Sequence, residues 1–246
     1  MSTSNPVLSN AVFERCERVA GASNVMTLQG TVIKTGVLLA VLMLTATYTW
    51  TQASANPGLA RTLMIVGCIG GFILALITSF RPSASPITSP IYAALEGLAM
   101  GGISAMYEAA FPGIVLNAIG LSVGTLLGML ALYGSGIVKA TEKFKAGVLA
   151  ATCAVGLVYL LGMILSFFGT QIPYIHQTGM IGIAFSGVVV VIAALNLVLD
   201  FDFIEQGVRQ QAPHYMEWYG GFGLLVTLVW MYLEILRLLS KLQSRD

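Results

Sequence analysis

The chain has 246 residues, of which 57% are hydrophobic and only 9% are Asp, Glu, Lys or Arg, with a formal net charge of +1. Soluble domains carry about 25% charged residues. Together with a mean hydropathy of +0.84, this composition excludes a water-soluble protein and is typical of a polytopic membrane protein. The charge balance, without any large basic cluster, also excludes a nucleic-acid-binding surface.

The first 29 residues, "MSTSNPVLSNAVFERCERVAGASNVMTLQ", lack the basic start, apolar stretch and cleavage site of a signal peptide. We predict that residues 1–29 form a cytosolic N-terminal tail. A short interfacial helix is the alternative, because Val12, Phe13 and Val19 stand among charged residues. Residues 30–242 are predicted to form one transmembrane domain.

Seven apolar segments follow the tail, each long enough to cross about 30 Å of hydrocarbon as a helix. In lipid the backbone must satisfy its own hydrogen bonds, which favours helices. The sequence therefore predicts an all-α polytopic membrane protein with seven transmembrane helices. The predicted segments are 31–52, 58–80, 90–111, 113–138, 146–169, 178–203 and 218–240.

Lysine and arginine placement predicts the orientation, since cytosolic loops are enriched in both. With a cytosolic N-terminus, the inner side would hold Arg15, Arg18, Lys34, Arg81, Lys139, Lys143, Lys145 and Arg209. The outer side before the last segment would hold only Arg61. A full crossing of the last segment places the basic tail outside, and a re-entrant last segment, the alternative, returns it to the cytosol.

Small residues predict how the helices meet. Glycines spaced four apart let helix backbones approach closely in a membrane, and a gating hinge is the alternative interpretation. The spaced glycines are Gly67 and Gly71, Gly97 and Gly101, and Gly120, Gly124 and Gly128. The three cysteines have no CxxC spacing, so Cys68 and Cys153, which fall in apolar segments, are expected to be buried free thiols.

Four acidic residues lie inside these segments or at their edges. Glu96 falls in the middle of the third segment and Glu234 deep in the last, whereas Asp200 and Asp202 stand near the inner end of the sixth. An ionised acid at mid-membrane costs about 2.5–3.5 kcal/mol on insertion scales. We therefore predict that Glu96, Asp200 and Glu234 point into the helix bundle. Asp202 is expected to face the inner aqueous side.

Simpler roles for the acids remain open. Glu234 could pair with Arg237, one turn later on the same helix face. Asp202 and Glu205 could be solvated at the membrane interface, and Glu96 could hydrogen-bond a neighbouring Ser or Tyr while protonated. Two acids converging from different helices would instead share a proton and would also offer oxygen ligands to a hard cation such as Ca²⁺.

Four stretches together carry a resemblance to a known family: "YAALEGLAMGGISAMYE", "FPGIVLNAIG", "AALNLVLDFDFIEQG" and "EWYGGFGLLVTLVWMYLEILRLL". From about Gly30 to Leu242 the chain resembles the Bax inhibitor-1 family, in particular its bacterial YccA-like branch. The resemblance implies a multi-pass protein of the bacterial inner (plasma) membrane whose last helix is central in the bundle. It also implies a pH-sensitive calcium leak, gated by a pair of acids on the sixth and seventh helices.

The family's gating residues can be placed on this sequence one by one. The sixth-helix acid falls on Asp200, and the seventh-helix acid falls on Glu234, where the family usually has Asp. Between them lie 33 residues, several more than the family pattern suggests, so the two depths differ unless a helix tilts or breaks. Arg81, rather than Arg61, would be the arginine latch partner that the family uses. A calcium site at Asp200 and Glu234 is implied in the same way.

We predict a pH-sensitive calcium leak channel in which Asp200 is the titrating residue and Asp202 and Glu205 form an acidic vestibule. The alternative is a membrane protein that regulates a protease or a quality-control partner, with structural acids. No resident cofactor is expected, and the lipid bilayer is the expected surrounding. An enzyme is disfavoured, because the sequence has no HExxH or Walker motif and "YGSG" lacks the glycine two residues before Ser135 that a rhomboid-type motif needs.

Overall fold

The computed structural model describes residues 25–168 and 179–244. In these ranges the secondary structure is helical, apart from one isolated β-bridge between Val25 and Pro213. The predicted all-α class is therefore confirmed for the part of the chain that is described. The predicted tail falls mostly on residues 1–24, outside that part. The helices are α1 (Leu28–Ala55), α2 (Pro57–Phe80), α3 (Ser85–Ala110), α4 (Ile114–Gly134), α5 (Glu142–Phe167), α6 (Met180–Arg209) and α7 (Met216–Gln243).

Six of these seven helices are long and apolar enough to cross a membrane, and α3 is the exception. Its first turns are rich in Ser, Thr and Pro, which lower its hydropathy. A 3-10 turn at Pro82–Ala84 joins it to α2. A chain with six such helices is an integral, multi-pass membrane protein.

The helix boundaries follow the punctuation of the sequence. Thr27 caps α1 by accepting a hydrogen bond from the Gly30 N–H at 2.9 Å. Asn56 separates α1 from α2 and caps the latter, whose first residue is Pro57. The turn between α3 and α4 requires glycine at position 113, because its φ is +85°.

The described residues form two compact units, and the division falls inside α6 and α7, so both helices contribute to each unit. The first unit contains residues 25–110 and 202–226. The second contains residues 111–168, 179–201 and 227–244.

Glycine allows close helix packing in the first unit. A β-carbon at Gly97 would overlap the carbonyl oxygen of Leu42, and one at Gly101 would overlap that of Ala46. Gly67 has the same relation to the backbone of α3. The predicted close approach of helices at these glycines is confirmed, with α3 packed against both α1 and α2.

Close packing was a wrong prediction for the glycines of α4. Apart from the adjacent backbone of α4 itself and the neighbouring residues in the chain, no atom of the described residues lies within 4 Å of a β-carbon built at Gly120, Gly124 or Gly128. The prediction of buried thiols was also wrong, because Cys68 and Cys153 are exposed on their helices. Hydropathy does not separate these cases, since a lipid-facing position is as apolar as a buried one.

A pair of glycine substitutions tests this packing. Replacing Gly101 by Ala should lower the free energy of unfolding by about 1–3 kcal/mol, the usual cost of overpacking a filled site. Replacing Gly124 by Ala should be neutral or stabilise by up to about 1 kcal/mol, because alanine is the better helix former and the site is open. Unfolding of both variants in detergent measures the difference, and equal losses would contradict the packing.

Candidate functional site

Polar side chains line the facing sides of α5, α6 and α7 in the second unit, and we call this set the polar seam. Nearly all of its members on α6 and α7 are buried, which is unusual for polar groups in apolar helices. Its members are Thr152 and Tyr159 on α5, Ser186, Asn196 and Asp200 on α6, and Thr227, Glu234, Arg237 and Lys241 on α7.

Two contacts fix the register of α6 against α7 in this unit. The Lys241 ammonium donates to the Ser186 hydroxyl at 2.8 Å and to the Gly182 carbonyl at 3.0 Å. Asp200 is hydrogen-bonded to Thr227. From Ser186 to Asp200 on α6 and from Lys241 back to Thr227 on α7 the chain advances by the same number of residues, as it must in antiparallel helices that keep one register. In this register position 193 lies opposite Glu234.

Asp200 is the least satisfied acid of the seam. Only 2% of the residue is exposed, and its Oδ2 atom has no hydrogen-bond partner among the described residues. Desolvating a charged oxygen without a partner is expensive, so an ionised Asp200 would need a cation at this oxygen, and a neutral one a proton. Asp200 Oδ2 is thus a buried polar atom without a hydrogen-bond partner among the described residues.

Glu234, in contrast, is fully engaged by its neighbours. The Tyr159 hydroxyl lies 3.0 and 2.9 Å from its two carboxylate oxygens. The Arg237 guanidinium donates to the same oxygens at 2.9 and 3.0 Å and stacks over the Tyr159 ring at 4.8 Å. The ion pair with Arg237 that the sequence offered as the simpler role is present, and Tyr159 is a partner that the sequence did not reveal.

The two acids of the implied gating pair therefore have different partners. Thr227, which contacts Asp200, and Glu234 are seven residues apart on α7, about 10 Å along the axis at 1.5 Å per residue. A calcium ion held by both carboxylates at once would require α6 or α7 to shift by most of this distance. In the described structure Asp200 and Glu234 form two separate polar sites of one seam.

The other predicted site residues lie in the first unit. Glu96 on α3 is half-buried, is hydrogen-bonded to Tyr92, and lies so close to α2 that a β-carbon at Gly71 would be 2.9 Å from its Oε2 atom. Asp202 is half-buried and accepts a hydrogen bond from Gln206. Arg81 is exposed at the C-terminal cap of α2.

Sequence reasoning missed a buried ion pair at the start of α7. Glu217 is in contact with Lys34 of α1, and only 2% and 13% of their side chains are exposed. The available signal was an acid in the first turn of an apolar helix and a lysine inside another. The loop-charge count uses Lys34 for the orientation of the chain, and such a count gives no information about the partner of a side chain.

The fold and the seam together define an integral membrane protein of several crossings with buried acids in its last two helices. The sequence pattern of the family described as Bax inhibitor 1 like matches residues 5–244, nearly the whole chain. The protein thus belongs to the Bax inhibitor 1 like family, which confirms the resemblance seen in the sequence. No curated protein and no solved structure gives a match.

Removing the Tyr159 hydroxyl should destabilise the protein, because it takes one hydrogen-bond partner from the buried Glu234 carboxylate and one from the partly exposed Arg237 guanidinium. We expect Tyr159→Phe to lower the free energy of unfolding by about 1–3 kcal/mol. Tyr48→Phe is the matched control, since half of Tyr48 is exposed, and should stay within about 0.5 kcal/mol of wild type. Thermal unfolding in detergent micelles gives both values, and an equal effect of the two substitutions would refute the role of Tyr159.

Proposed function

We propose that this protein is a pH-sensitive leak channel for calcium or a similar cation, with Asp200 as its titrating gate. The observation that carries this proposal is the buried carboxyl of Asp200, whose Oδ2 atom has no partner among the described residues. Such an oxygen takes up a proton or a cation, and the competition between these two ligands would make the flux depend on pH. Membership of the Bax inhibitor 1 like family supports the same function.

The polar seam supplies the pathway in this proposal. From Ser186 to Asp200 it covers 14 residues of α6, about 21 Å of the roughly 30 Å hydrocarbon core. Asn196, between these positions, is bonded to the Thr152 hydroxyl at 2.9 Å. Oxygen atoms dominate the set, and a hard cation prefers oxygen ligands. The ion is cargo here, and the protein is proposed to act as a channel without enzymatic activity or a resident cofactor.

Glu234 has a different task in this proposal from the one that the family pattern implies. Its charge is compensated by Arg237, of which 37% of the side chain is exposed. A cation that passes this level would displace the Arg237 guanidinium and bind the carboxylate in its place. Glu234 would thus be a second, transient ligand of the ion. Asp202 and Glu205 would form the inner vestibule, while Glu96 and the arginine latch at Arg81 stay predictions from sequence.

The proposed arrangement has seven crossings, with α3 as the seventh and α7 at the centre of the bundle. The burial of α7 supports its central place. In its most apolar stretch of 18 residues, 44% is buried, whereas the corresponding share for α5 is 11%. Loop charges support a cytosolic N-terminus, and the bacterial inner membrane follows from the resemblance alone.

A regulatory membrane protein, acting on a protease or another quality-control partner, is the second candidate. One observation favours it: the glycine face of α4 is open among the described residues. Such a face fits a transmembrane helix of another protein, because small residues allow close backbone approach. In this case the buried acids would be structural.

Calcium flux in proteoliposomes tests the channel. For wild type the flux should change with pH between about 6 and 8, by up to about tenfold per unit, the limit for one titrating proton. Asp200→Asn fixes the site in an uncharged form, so most of the pH dependence should disappear, whatever the absolute rate. The matched control is Glu142→Gln in the first turn of α5, which should keep the wild-type profile because 66% of the Glu142 side chain is exposed and it lies outside the proposed pathway.

Two results would count against the channel. An unchanged pH profile in Asp200→Asn would remove Asp200 as the gate. A wild-type protein that is folded in the liposomes and carries no calcium would favour the regulatory candidate. In that event, substitution of the α4 glycines by leucine should abolish capture of the partner while leaving the fold intact.

The orientation is tested by labelling single cysteines in intact cells, in a background that lacks the three native cysteines. A cysteine at Ser54, near the end of α1, should react with a membrane-impermeant thiol reagent. A cysteine at Lys143, in the first turn of α5, should be protected until the cells are opened. Labelling of position 143 in intact cells would reverse the proposed topology.

A further inference from the structure

The first unit contains a polar cluster that the proposed channel does not use, formed by Thr27, Lys34, His214 and Glu217. We call it the α1–α7 clamp. The carboxylate of Glu217 is its centre: the Thr27 backbone N–H and hydroxyl both donate to Oε1 at 2.8 Å, and the Lys34 ammonium donates to Oε2. The ammonium also lies 5.6 Å from the centroid of the Trp218 ring.

The backbone next to the clamp joins two distant parts of the chain. Val25 forms an antiparallel bridge with Pro213, and the Met26 N–H donates to the Ala212 carbonyl at 2.7 Å. A β-carbon at position 30 would overlap the Glu217 carboxylate, so Gly30 allows the close approach. The clamp therefore ties the segment before α1 to the loop between α6 and α7, the helices that carry Asp200 and Glu234.

His214 stands at the exposed edge of this cluster. Its Nε2 atom lies 3.1 Å from the Lys34 ammonium and 3.3 Å from Glu217 Oε2, and 54% of its side chain is exposed. An ammonium group can only donate, so Nε2 can accept from Lys34 when the ring proton is on Nδ1, whereas a proton on Nε2 would be donated to Glu217. The cation of Lys34 and the carboxylate of Glu217 thus both lie next to the same ring nitrogen.

We propose that His214 is a proton-binding site that opens the α1–α7 clamp when the aqueous phase is acidified. When both ring nitrogens carry a proton, Nε2 can only donate, so His214 has no acceptor to offer to Lys34. Two cations about 3 Å apart then share the single carboxylate of Glu217, and they repel each other. In the described residues Lys34 from α1 and Glu217 from α7 are the charged groups that contact His214.

The direction of the response follows from this competition. A protonated His214 belongs to the same loop and helix start as Glu217, so it can bind the carboxylate without ordering any other segment. Lys34 belongs to another helix, α1, and its ion pair with Glu217 weakens once the carboxylate also binds the imidazolium. Acidification should therefore loosen the Val25–Thr27 segment from the loop.

Hydrogen exchange on the full-length protein in detergent measures this directly. The amides of Met26 and Thr27 donate across the clamp, to Ala212 and Glu217. After correction for intrinsic exchange, their protection should fall on going from about pH 7.5 to 5.5, by up to about tenfold per unit, the limit for one coupled proton. Amides in the middle of α1 serve as the internal reference and should not change.

Two variants decide whether His214 is responsible. His214→Gln keeps an acceptor for Lys34 but cannot gain a proton at these pH values, so its protection should stay flat. Lys34→Met removes the competing cation, so a protonated His214 would then pair with Glu217 alone. In that variant the sign should reverse, with more protection at low pH than at high pH.

Three results would overturn the inference: constant protection in wild type, the same acid loss in His214→Gln, or an acid loss that persists in Lys34→Met. The exchange experiment involves no ion flux. It can therefore fail while the channel proposal holds, and it can succeed if the protein conducts nothing.

Discussion

The cost of a charge without a partner in an apolar surrounding is the constraint on which the rest of this structure depends. Each of three buried carboxylates meets it differently. Glu217 is neutralised by Lys34 from another helix, and Glu234 by Arg237 from its own. Asp200 has a hydrogen bond with Thr227, and its Oδ2 atom has no hydrogen-bond partner among the described residues. In the proposed channel, a proton or a metal ion would supply the compensation at Asp200, whereas Glu217 and Glu234 each have a cationic side chain as a partner.

The same constraint determines the register of α6 and α7. A buried ammonium at Lys241 has to meet oxygen atoms, and it finds them at Ser186 and Gly182 in the first turns of α6. Once this contact is made, antiparallel geometry brings Thr227 opposite Asp200. A slip by one helical turn would leave both Lys241 and Asp200 facing apolar side chains, so the two polar contacts exclude the neighbouring registers.

Much of the fold was predictable, because hydropathy indicates the length of each helix and Pro and Gly residues indicate where helices begin and end. Pro57, the first residue of α2, and Gly113, in the turn before α4, are examples. The sides on which helices pack were less predictable. Gly101 and Gly124 have the same spacing pattern, yet only Gly101 is covered, since lipid and protein interior favour the same side chains. Partners were least predictable: the pairing of Glu234 with Arg237 is local and visible in sequence, whereas its bond to Tyr159 depends on how α5 packs.

The family pattern implies that acids on the last two helices act as a pair, and the long connection between Asp200 and Glu234 changes what such a pair can do. Thr227, which contacts Asp200, and Glu234 are about 10 Å apart along the axis of α7, so the two carboxylates lie at different levels of the seam. In the proposed channel, two binding sites at different depths would suit conduction better than one tight site. An ion bound by both carboxylates would leave slowly, whereas an ion bound by one could step to the next once it displaced Arg237 from Glu234.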